Sequence, residues 1–179
     1  MAKICLRPIV LADIDNIMTW VNDPEITAHF ATLGNISQTQ ETTYLIKMLQ
    51  SPNDRLFSIF VDGEYAGQCS LNQIYWPAGN ARLFLVLKKE FQGRRLAQKV
   101  IAKILQRAFD EISLNKVWLI VREANEKARH VYRRAGFETE GVLREEYCVE
   151  GRFVNMVRMA ILERDYRRWY GSTRKERKQ

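Results

Sequence analysis

One stretch of the sequence decides the fold, and it reads Asn125-Glu126-Lys127-Ala128-Arg129-His130-Val131-Tyr132-Arg133-Arg134-Ala135-Gly136-Phe137. It begins just after the apolar run Val117 to Val121, which is typical of a buried strand. Its apolar side chains recur at helical spacing, at positions 128, 131, 132 and 135, and Gly136 suits the end of a helix. The stretch therefore predicts a short amphipathic helix, from about Glu126 to Ala135, behind a buried strand.

A second unit of strand, turn and helix lies upstream. The run Ala81 to Leu87 is nearly all apolar, as expected of a central strand that is covered on both faces. The basic turn Phe91-Gln92-Gly93-Arg94-Arg95 then opens a long helix whose apolar side chains recur every 3.6 residues. Because N–H groups at the start of a helix carry partial positive charge, this turn is a candidate anion site.

The rest of the chain alternates strands and helices without a repeat. Ser37 and Gln40 have the spacing of a capping box, and the pair Asp62-Gly63 is a strong hairpin signal. The further predicted elements are a strand at Lys3 to Arg7, a helix at Leu11 to Val21, hairpin strands at Leu56 to Val61 and Ala66 to Ile74, and closing strands at Phe137 to Val149 and Phe153 to Leu162. Together they predict a mixed sheet with helices.

Length and composition predict one globular domain over residues 1–166, followed by a basic tail at residues 167–179. No signal-peptide segment and no long apolar run occur, so the sequence predicts a cytoplasmic protein that does not insert in a membrane. The odd set Cys5, Cys69 and Cys148 shows no metal-ligand spacing, which argues against a disulfide framework and a structural zinc.

The net charge of +7 is concentrated at the C-terminal end of the chain. Residues 164–179 hold seven Lys or Arg against two acidic residues, which leaves only about +2 for the remainder. Such a terminus, from Gly171 onward, is most often solvated and frayed. A contact of the tail with RNA or the ribosome stays open as an alternative.

Two motifs carry a family resemblance. The pattern Asn125-x-x-Ala128-x-x-x-Tyr132-x-Arg134-x-Gly136-Phe137 resembles the second coenzyme-A motif of the GNAT N-acetyltransferases. The turn Gln92-Gly93-Arg94-Arg95-Leu96-Ala97 resembles that family's pyrophosphate loop, with Arg95 where the family usually has glycine. The stretches Trp20 to Glu25 and Glu140 to Arg152 resemble the branch that contains ribosomal-protein, amino-sugar and spermidine acetyltransferases.

This resemblance implies an α/β (α+β) fold with a mixed, mostly antiparallel central sheet flanked by helices on both faces. It implies direct transfer of an acetyl group from acetyl-coenzyme A (acetyl-CoA), with no metal, to a primary amine. Tyr132 is expected to be the general acid for the leaving thiolate, and Asn125 to bond the pantetheine arm or to cap the helix that follows. The residues expected at the cofactor are Leu85, Val86, Leu87, Gln92, Gly93, Arg94, Arg95, Leu96, Ala97, Gln98, Asn125, Lys127, Ala128, Tyr132 and Arg133.

The acceptor and the general base are less well defined by the sequence. Arg82 stands in the central strand where polyamine-acetylating relatives tend to carry a glutamate, so it argues against a polycation and suits an anionic substrate. We therefore expect an amino sugar, free or nucleotide-linked, or a protein N-terminus, with a polyamine less favoured. The candidate substrate residues are Glu25, His29, Arg82 and Glu146, and the candidate bases are Asp23, Glu25, His29, Glu146 or a water chain.

Two further questions stay open at this point. A binding module for acyl-CoA or RNA, with the same fold and without turnover, is the alternative to an enzyme. The sequence also leaves a homodimer open.

Overall fold

The computed structural model describes residues 2–27, 35–149 and 151–176. The strands are β1 (Ile4–Pro8), β2 (Arg55–Val61), β3 (Glu64–Tyr75), β4 (Asn80–Leu87), β5 (Lys116–Arg122), β6 (Glu138–Val149) and β7 (Arg152–Leu162). The α-helices are α1 (Ile14–Met18), α2 (Pro24–Thr27), α3 (Gln38–Gln50), α4 (Leu96–Gln106), α5 (Glu126–Arg134) and α6 (Glu163–Glu176). A π-helical segment, Arg107–Glu111, extends α4. Short 3₁₀ turns lie at Leu11–Asp13, Trp76–Ala78 and Lys89–Phe91.

The seven strands form one sheet in the order β1-β2-β3-β4-β5-β7-β6. Only β4 and β5 run parallel; the other five neighbouring pairs are antiparallel. This confirms the predicted mixed, mostly antiparallel sheet. The hairpin prediction is also confirmed, because Asp62 and Gly63 join β2 to β3 with φ angles of 52° and 93°, the left-handed conformations that a type I′ turn requires.

The parallel strands β4 and β5 diverge along their length. Asn80 to Arg82 pair with Lys116 to Trp118, and pairing between β4 and β5 ends there. Past Arg82, β4 continues to Leu87 with β3 alone, while β5 continues to Arg122 with β7 alone. The carboxyl halves of the two central strands therefore flank a cleft, and the chain leaves these strands toward α4 and α5.

Helices cover both faces of the sheet, as predicted. On one side, which we call the α4 face, Leu83 and Leu119 pack into a core with Val100 and Ile104 of α4. The opposite side, the α3 face, carries a smaller core. In that core Ile17 and Trp20 from the α1 region and Leu45 of α3 pack with Leu56 and Val86.

The C-terminal helix α6 begins before the predicted domain boundary and crosses it. Tyr166 is buried and stacks on Phe109, with 4.9 Å between the ring centroids, and its other neighbour is Tyr170 at 5.0 Å. Tyr170 donates from its hydroxyl to the Ala135 carbonyl at 3.2 Å. These aromatic side chains anchor the first turns of the helix, which runs to Glu176. The domain boundary and the solvated basic tail stay predictions.

Within the described ranges, none of the helices is long and apolar enough to cross a membrane. The cytoplasmic location stays a prediction.

Candidate active site

The N-terminus of α4 opens at the mouth of the cleft between β4 and β5. Arg95 is the N-cap residue of this helix, and its side chain makes no capping hydrogen bond. The first-turn N–H groups of a helix have no partner inside the helix, so they can donate to an anion together with the helix dipole. This end of α4 thus has the donors that a pyrophosphate needs.

The loop before α4 keeps a glycine-like backbone in spite of Arg95. Gly93 and Arg95 have φ angles of 74° and 56°, both in the left-handed region. A non-glycine residue there costs roughly 1 kcal/mol or more, and this chain accepts that cost at residue 95. The departure from the family pattern therefore changes the side chain and retains the loop shape.

The side chains of this loop have separate tasks. Gln92 donates from Nε2 to the Leu87 carbonyl at 2.9 Å, so it ties the loop to the end of β4. The exposed Arg94 guanidinium lies 6.0 Å from the centroid of the Phe91 ring, and Arg95 is exposed as well. The two exposed guanidinium groups can therefore contact an anion, while Gln92 fixes the loop to β4.

One edge of β4 faces the cleft without a strand partner. Leu85, Val86 and Leu87 pair with Cys69, Gln68 and Gly67 of β3 on their other edge. Gly67 permits this close approach, because a Cβ there would lie 2.2 Å from the Val86 carbonyl oxygen. The cleft-side backbone of residues 85–87 can therefore pair with an extended arm in a strand-like manner.

Asn125 occupies the N-cap of α5. Its Oδ1 accepts a hydrogen bond from the Ala128 N–H at 3.0 Å, and its own N–H donates to the Arg122 carbonyl at 2.8 Å. The capping role that the sequence offered as one alternative is therefore present, and it orients the helix that carries Tyr132. A contact of Asn125 with pantetheine stays a prediction.

Tyr132 lies on α5 with its ring edge-on to Phe137, at 5.7 Å between centroids. Burial raises the pKa of its phenol to about 12. Among the residues that the structure describes, none hydrogen-bonds to its hydroxyl. Tyr132 is therefore a neutral donor at neutral pH, with its proton available to a ligand.

The remaining predicted cofactor residues lie in the first turn of α4 or on the exposed side of α5. Leu96 is buried, and Ala97 and Gln98 follow it half-buried. Lys127 and Arg133 are exposed, and Arg133 donates weakly to Glu126 at 3.4 Å. These positions place further positive charge beside the α4 loop.

The predicted acceptor residues on α2 already have local partners. Asp23 accepts from the Glu25 N–H at 2.9 Å and so caps the short helix. Glu25 forms an exposed ion pair with Lys89, which raises the pKa of that lysine through their hydrogen bond. Glu146 is exposed on β6, and His29 falls outside the described residues. The general base stays unassigned.

Arg82 lies half-buried on the α3 face, beside the indole of Trp118. Its guanidinium is 5.8 Å from the centroid of that ring, and the Arg158 guanidinium is 4.1 Å from the same centroid. Arg158 also pairs with Glu140 at 3.3 Å. The sequence did not predict that an aromatic ring from β5 would lie within cation–π distance of both Arg82 and Arg158.

Sequence reasoning missed a polar row on the α3 face of β3. Gln68, Ser70 and Asn72 alternate with core residues along this strand, and the first two are only 8 % and 1 % exposed. Their Oε1, Oγ and Oδ1 atoms are buried without a hydrogen-bond partner among the described residues. The alternation of polar residues could have revealed the row, but a period of two in a strand usually marks a solvent-facing side.

Comparison with known proteins places this geometry in a family. Residues 3–138 match the family described as "Acetyltransferase (GNAT) domain". The chain is 29% identical over 161 residues to the spermidine N(1)-acetyltransferase of Escherichia coli K12, covering 90% of this chain and 87% of that one. It is 31% identical over 108 residues to a putative ribosomal N-acetyltransferase of Bacillus subtilis, covering 60% and 59%.

Comparison with solved structures supports the same family. The fold superposes with a TM-score of 0.87 on the spermidine N-acetyltransferase of Vibrio cholerae in complex with CoA and spermine, at 27% identity over 91% of this chain and 97% of that one. In the described part of the chain, no three His, Cys, Asp or Glu side chains are grouped as metal ligands. The chain belongs to the GNAT family and is an acetyl-CoA-dependent N-acetyltransferase.

Proposed function

We propose that this enzyme acetylates a primary amine of a small polyamine. The observation that carries the proposal is the similarity over about nine-tenths of the chain to spermidine N-acetyltransferases. These relatives do not support an amino sugar or a protein N-terminus, which the sequence favoured because of Arg82. Arg82 lies 5.8 Å from the centroid of the Trp118 ring and keeps its charge, so it still weighs against a polycation, but the similarity to the spermidine enzymes outweighs it.

Three parts of the chain bind acetyl-CoA in this proposal. The cleft-side backbone of residues 85–87 pairs with the pantetheine arm, and the N–H groups at the start of α4 donate to the pyrophosphate. Arg94 and Arg95 add charge at the same place. Hydrogen bonds to charged groups are worth roughly 1.5–3 kcal/mol each, so the loop is expected to contribute much of the affinity.

Tyr132 stabilises the leaving thiolate. The neutral amine attacks the thioester carbonyl, the C–N bond forms, and the C–S bond breaks to release a thiolate. A thiol has a pKa of about 8.5, and that of Tyr132 is raised to about 12, so the phenol donates a hydrogen bond to the thiolate and keeps its proton. The amine nitrogen loses one proton in the transfer, and this proton converts the thiolate to the free thiol.

A competition experiment tests the acceptor class. Spermidine, a peptide with a free N-terminal Ser and a nucleotide-linked amino sugar are incubated together at equal concentration with the enzyme and acetyl-CoA. Mass spectrometry then identifies the acetylated product. We expect acetylspermidine to dominate. A dominant acetylated sugar or peptide, or no acetylated product at all, would contradict the proposal.

A further inference from the structure

A bulge in β6 places three residues of that strand, 144–146, opposite the single residue Asn155 of β7. In the middle of the bulge, Glu145 has a φ angle of 52°, in the left-handed region that a residue with a side chain rarely adopts. Asn155 accepts from the Glu145 N–H through its Oδ1 at 2.9 Å. This hydrogen bond satisfies a main-chain donor that the bulge removes from the ladder between the two strands.

The amide group of the same Asn155 side chain contacts the carboxyl end of β5. Its Nδ2 donates to Oε2 of Glu123 at 2.9 Å, and its main-chain carbonyl accepts from the Glu123 N–H at 3.0 Å. The amide has one orientation that fits, because a main-chain N–H needs an acceptor and a carboxylate needs a donor. Glu123 is the first residue after β5, one of the two strands that flank the cleft. Asn155 therefore links the bulge of β6 to that wall of the cleft.

A second set of contacts to Glu123 comes from α5. Arg129 donates from Nη1 to the Glu123 carbonyl at 3.1 Å, and it also pairs with Glu126. Its own N–H donates to the Asn125 carbonyl at 3.1 Å. The Arg129 side chain is 19 % exposed, so much of it is shielded from water. Glu123 is thus held through its N–H and carboxylate by β7 and through its carbonyl by α5.

These contacts bear on Tyr132, because the turn at residues 123–125 joins β5 to the helix that carries it. Arg129 precedes Tyr132 by three residues and so lies beside it on the helix surface. Asn125, within the turn, caps the same helix. A displacement of about 1 Å that starts far from the chemistry can cost about 100-fold in rate. The placement of this turn therefore affects where the Tyr132 hydroxyl lies relative to the cleft.

We propose that Asn155 is a positioning residue for Tyr132. Its side chain fixes Glu123, and through Glu123 it fixes the start of α5. The Tyr132 phenol is thereby held where it donates to the leaving thiolate. This inference rests on the role proposed for Tyr132 and is independent of which amine is the acceptor.

The first readout is the pKa of the thiol of bound CoA, which requires no acceptor. A hydrogen-bond donor to the thiolate lowers this pKa from its ordinary value of about 8.5. The thiolate absorbs in the ultraviolet, and a parallel titration with desulfo-CoA, which lacks the thiol, subtracts the adenine and tyrosine signals. We expect Tyr132→Phe to raise the pKa of the bound thiol by about 1 or more, because a charge-assisted hydrogen bond is lost.

Asn155→Asp breaks the link to Glu123 with almost no change in size. The new carboxylate still accepts from the Glu145 N–H, but it repels the Glu123 carboxylate, which Asn155 Nδ2 contacts at 2.9 Å. We expect the pKa of the bound thiol to rise by about half of the increase found for Tyr132→Phe. With spermidine as acceptor, kcat should fall about tenfold while the KM for spermidine stays within about threefold.

Three comparisons separate positioning from a general loss of stability. Asn155→Asp combined with Glu123→Gln exchanges donor and acceptor, so the hydrogen bond returns and kcat should recover to within about twofold. In a Tyr132→Phe background, Asn155→Asp should add no further rise in the thiol pKa, because the residue through which it acts is gone. Asn53→Asp matches the charge change between α3 and β2, where residue 53 accepts from Trp76 Nε1 at 2.9 Å and an aspartate can do the same. It should leave the thiol pKa unchanged.

The outcomes distinguish this inference from the proposed function. An unchanged thiol pKa in Asn155→Asp, a full additional rise in the Tyr132→Phe background, no recovery in the exchanged pair, or an equal rise in Asn53→Asp would overturn the positioning role. If Tyr132→Phe itself leaves the thiol pKa unchanged, the role of Tyr132 and this inference fail together. If the thiol titrations follow our expectation and spermidine is not acetylated, the positioning role stands and the proposed acceptor fails.

Discussion

Two buried carboxylates on the same side of the sheet have opposite surroundings. Asp13 is 3 % exposed, and it accepts from the Arg7 guanidinium, from the Val10 N–H at 3.0 Å and from the Ser58 hydroxyl at 3.0 Å. Glu41 is 9 % exposed and has none of these among the described residues. Burial of the residue alone therefore does not show whether the protein stabilises a carboxylate; the donors around the carboxylate do.

The difference has a thermodynamic meaning. At Asp13, the protein itself provides the hydrogen-bond donors that replace water, so the folded state stabilises the charged carboxylate. At Glu41, no described residue donates to the carboxylate, and burial raises its pKa, so the folded state favours the neutral acid. Tyr132 resembles Glu41 in one respect, because burial raises its pKa and no described residue hydrogen-bonds to its hydroxyl.

The largest effect is expected at Asp13. Asp13→Ala leaves the Val10 N–H and the Ser58 hydroxyl without their acceptor and the Arg7 guanidinium without its counter-charge. We expect the free energy of unfolding to fall by about 3–5 kcal/mol, as when one partner of a buried pair is removed. Urea denaturation measures the change, and kcat per folded molecule should stay within about twofold. A stable variant would show that Asp13 is not structural.

The next effect is expected at Tyr132. Tyr132→Phe removes the donor for the thiolate and keeps the ring against Phe137. We expect kcat to fall about 100-fold, in the range found when one hydrogen-bond donor to a developing charge is removed, while the Kd for acetyl-CoA changes less than threefold. Single-turnover kinetics and calorimetry measure the two quantities. Unchanged turnover would remove Tyr132 from the chemistry.

The smallest effect is a pH dependence of stability at Glu41. Because its pKa is raised in the folded state, the folded protein holds the proton more tightly than the unfolded chain. Stability therefore falls as pH rises from about 4.3 through the raised pKa, and this loss is absent in Glu41→Gln. We expect the unfolding free energy of Glu41→Gln, relative to the unaltered chain, to rise between pH 4.5 and pH 7. A variant that instead loses stability toward pH 7 would place Glu41 with Asp13.

Local signals in the sequence predicted much of the fold. Ser37 and Gln40 form the reciprocal capping box that their spacing indicates, at 3.2 and 2.8 Å. The Asp62-Gly63 turn and the helix that carries Tyr132 also lie where their patterns placed them. Each of these depends on neighbours within a few residues, so spacing along the chain is sufficient to find it.

Features that depend on pairing across the sheet were not predictable in this way. The divergence of β4 from β5 follows from which strands each one pairs with, and the cation–π contact of Arg82 with Trp118 follows from the parallel register. Leu45 and Val86 are about 40 positions apart in sequence, and only the packing of α3 on the sheet brings them into one core.

The most direct test of the central claim is the initial rate of thiol release from acetyl-CoA by the unaltered chain as spermidine is added. We expect a saturable increase that yields one equivalent of acetylspermidine per thiol. A rate that spermidine does not change, from a protein that still binds acetyl-CoA, would contradict the claim that this site transfers acetyl groups to a polyamine.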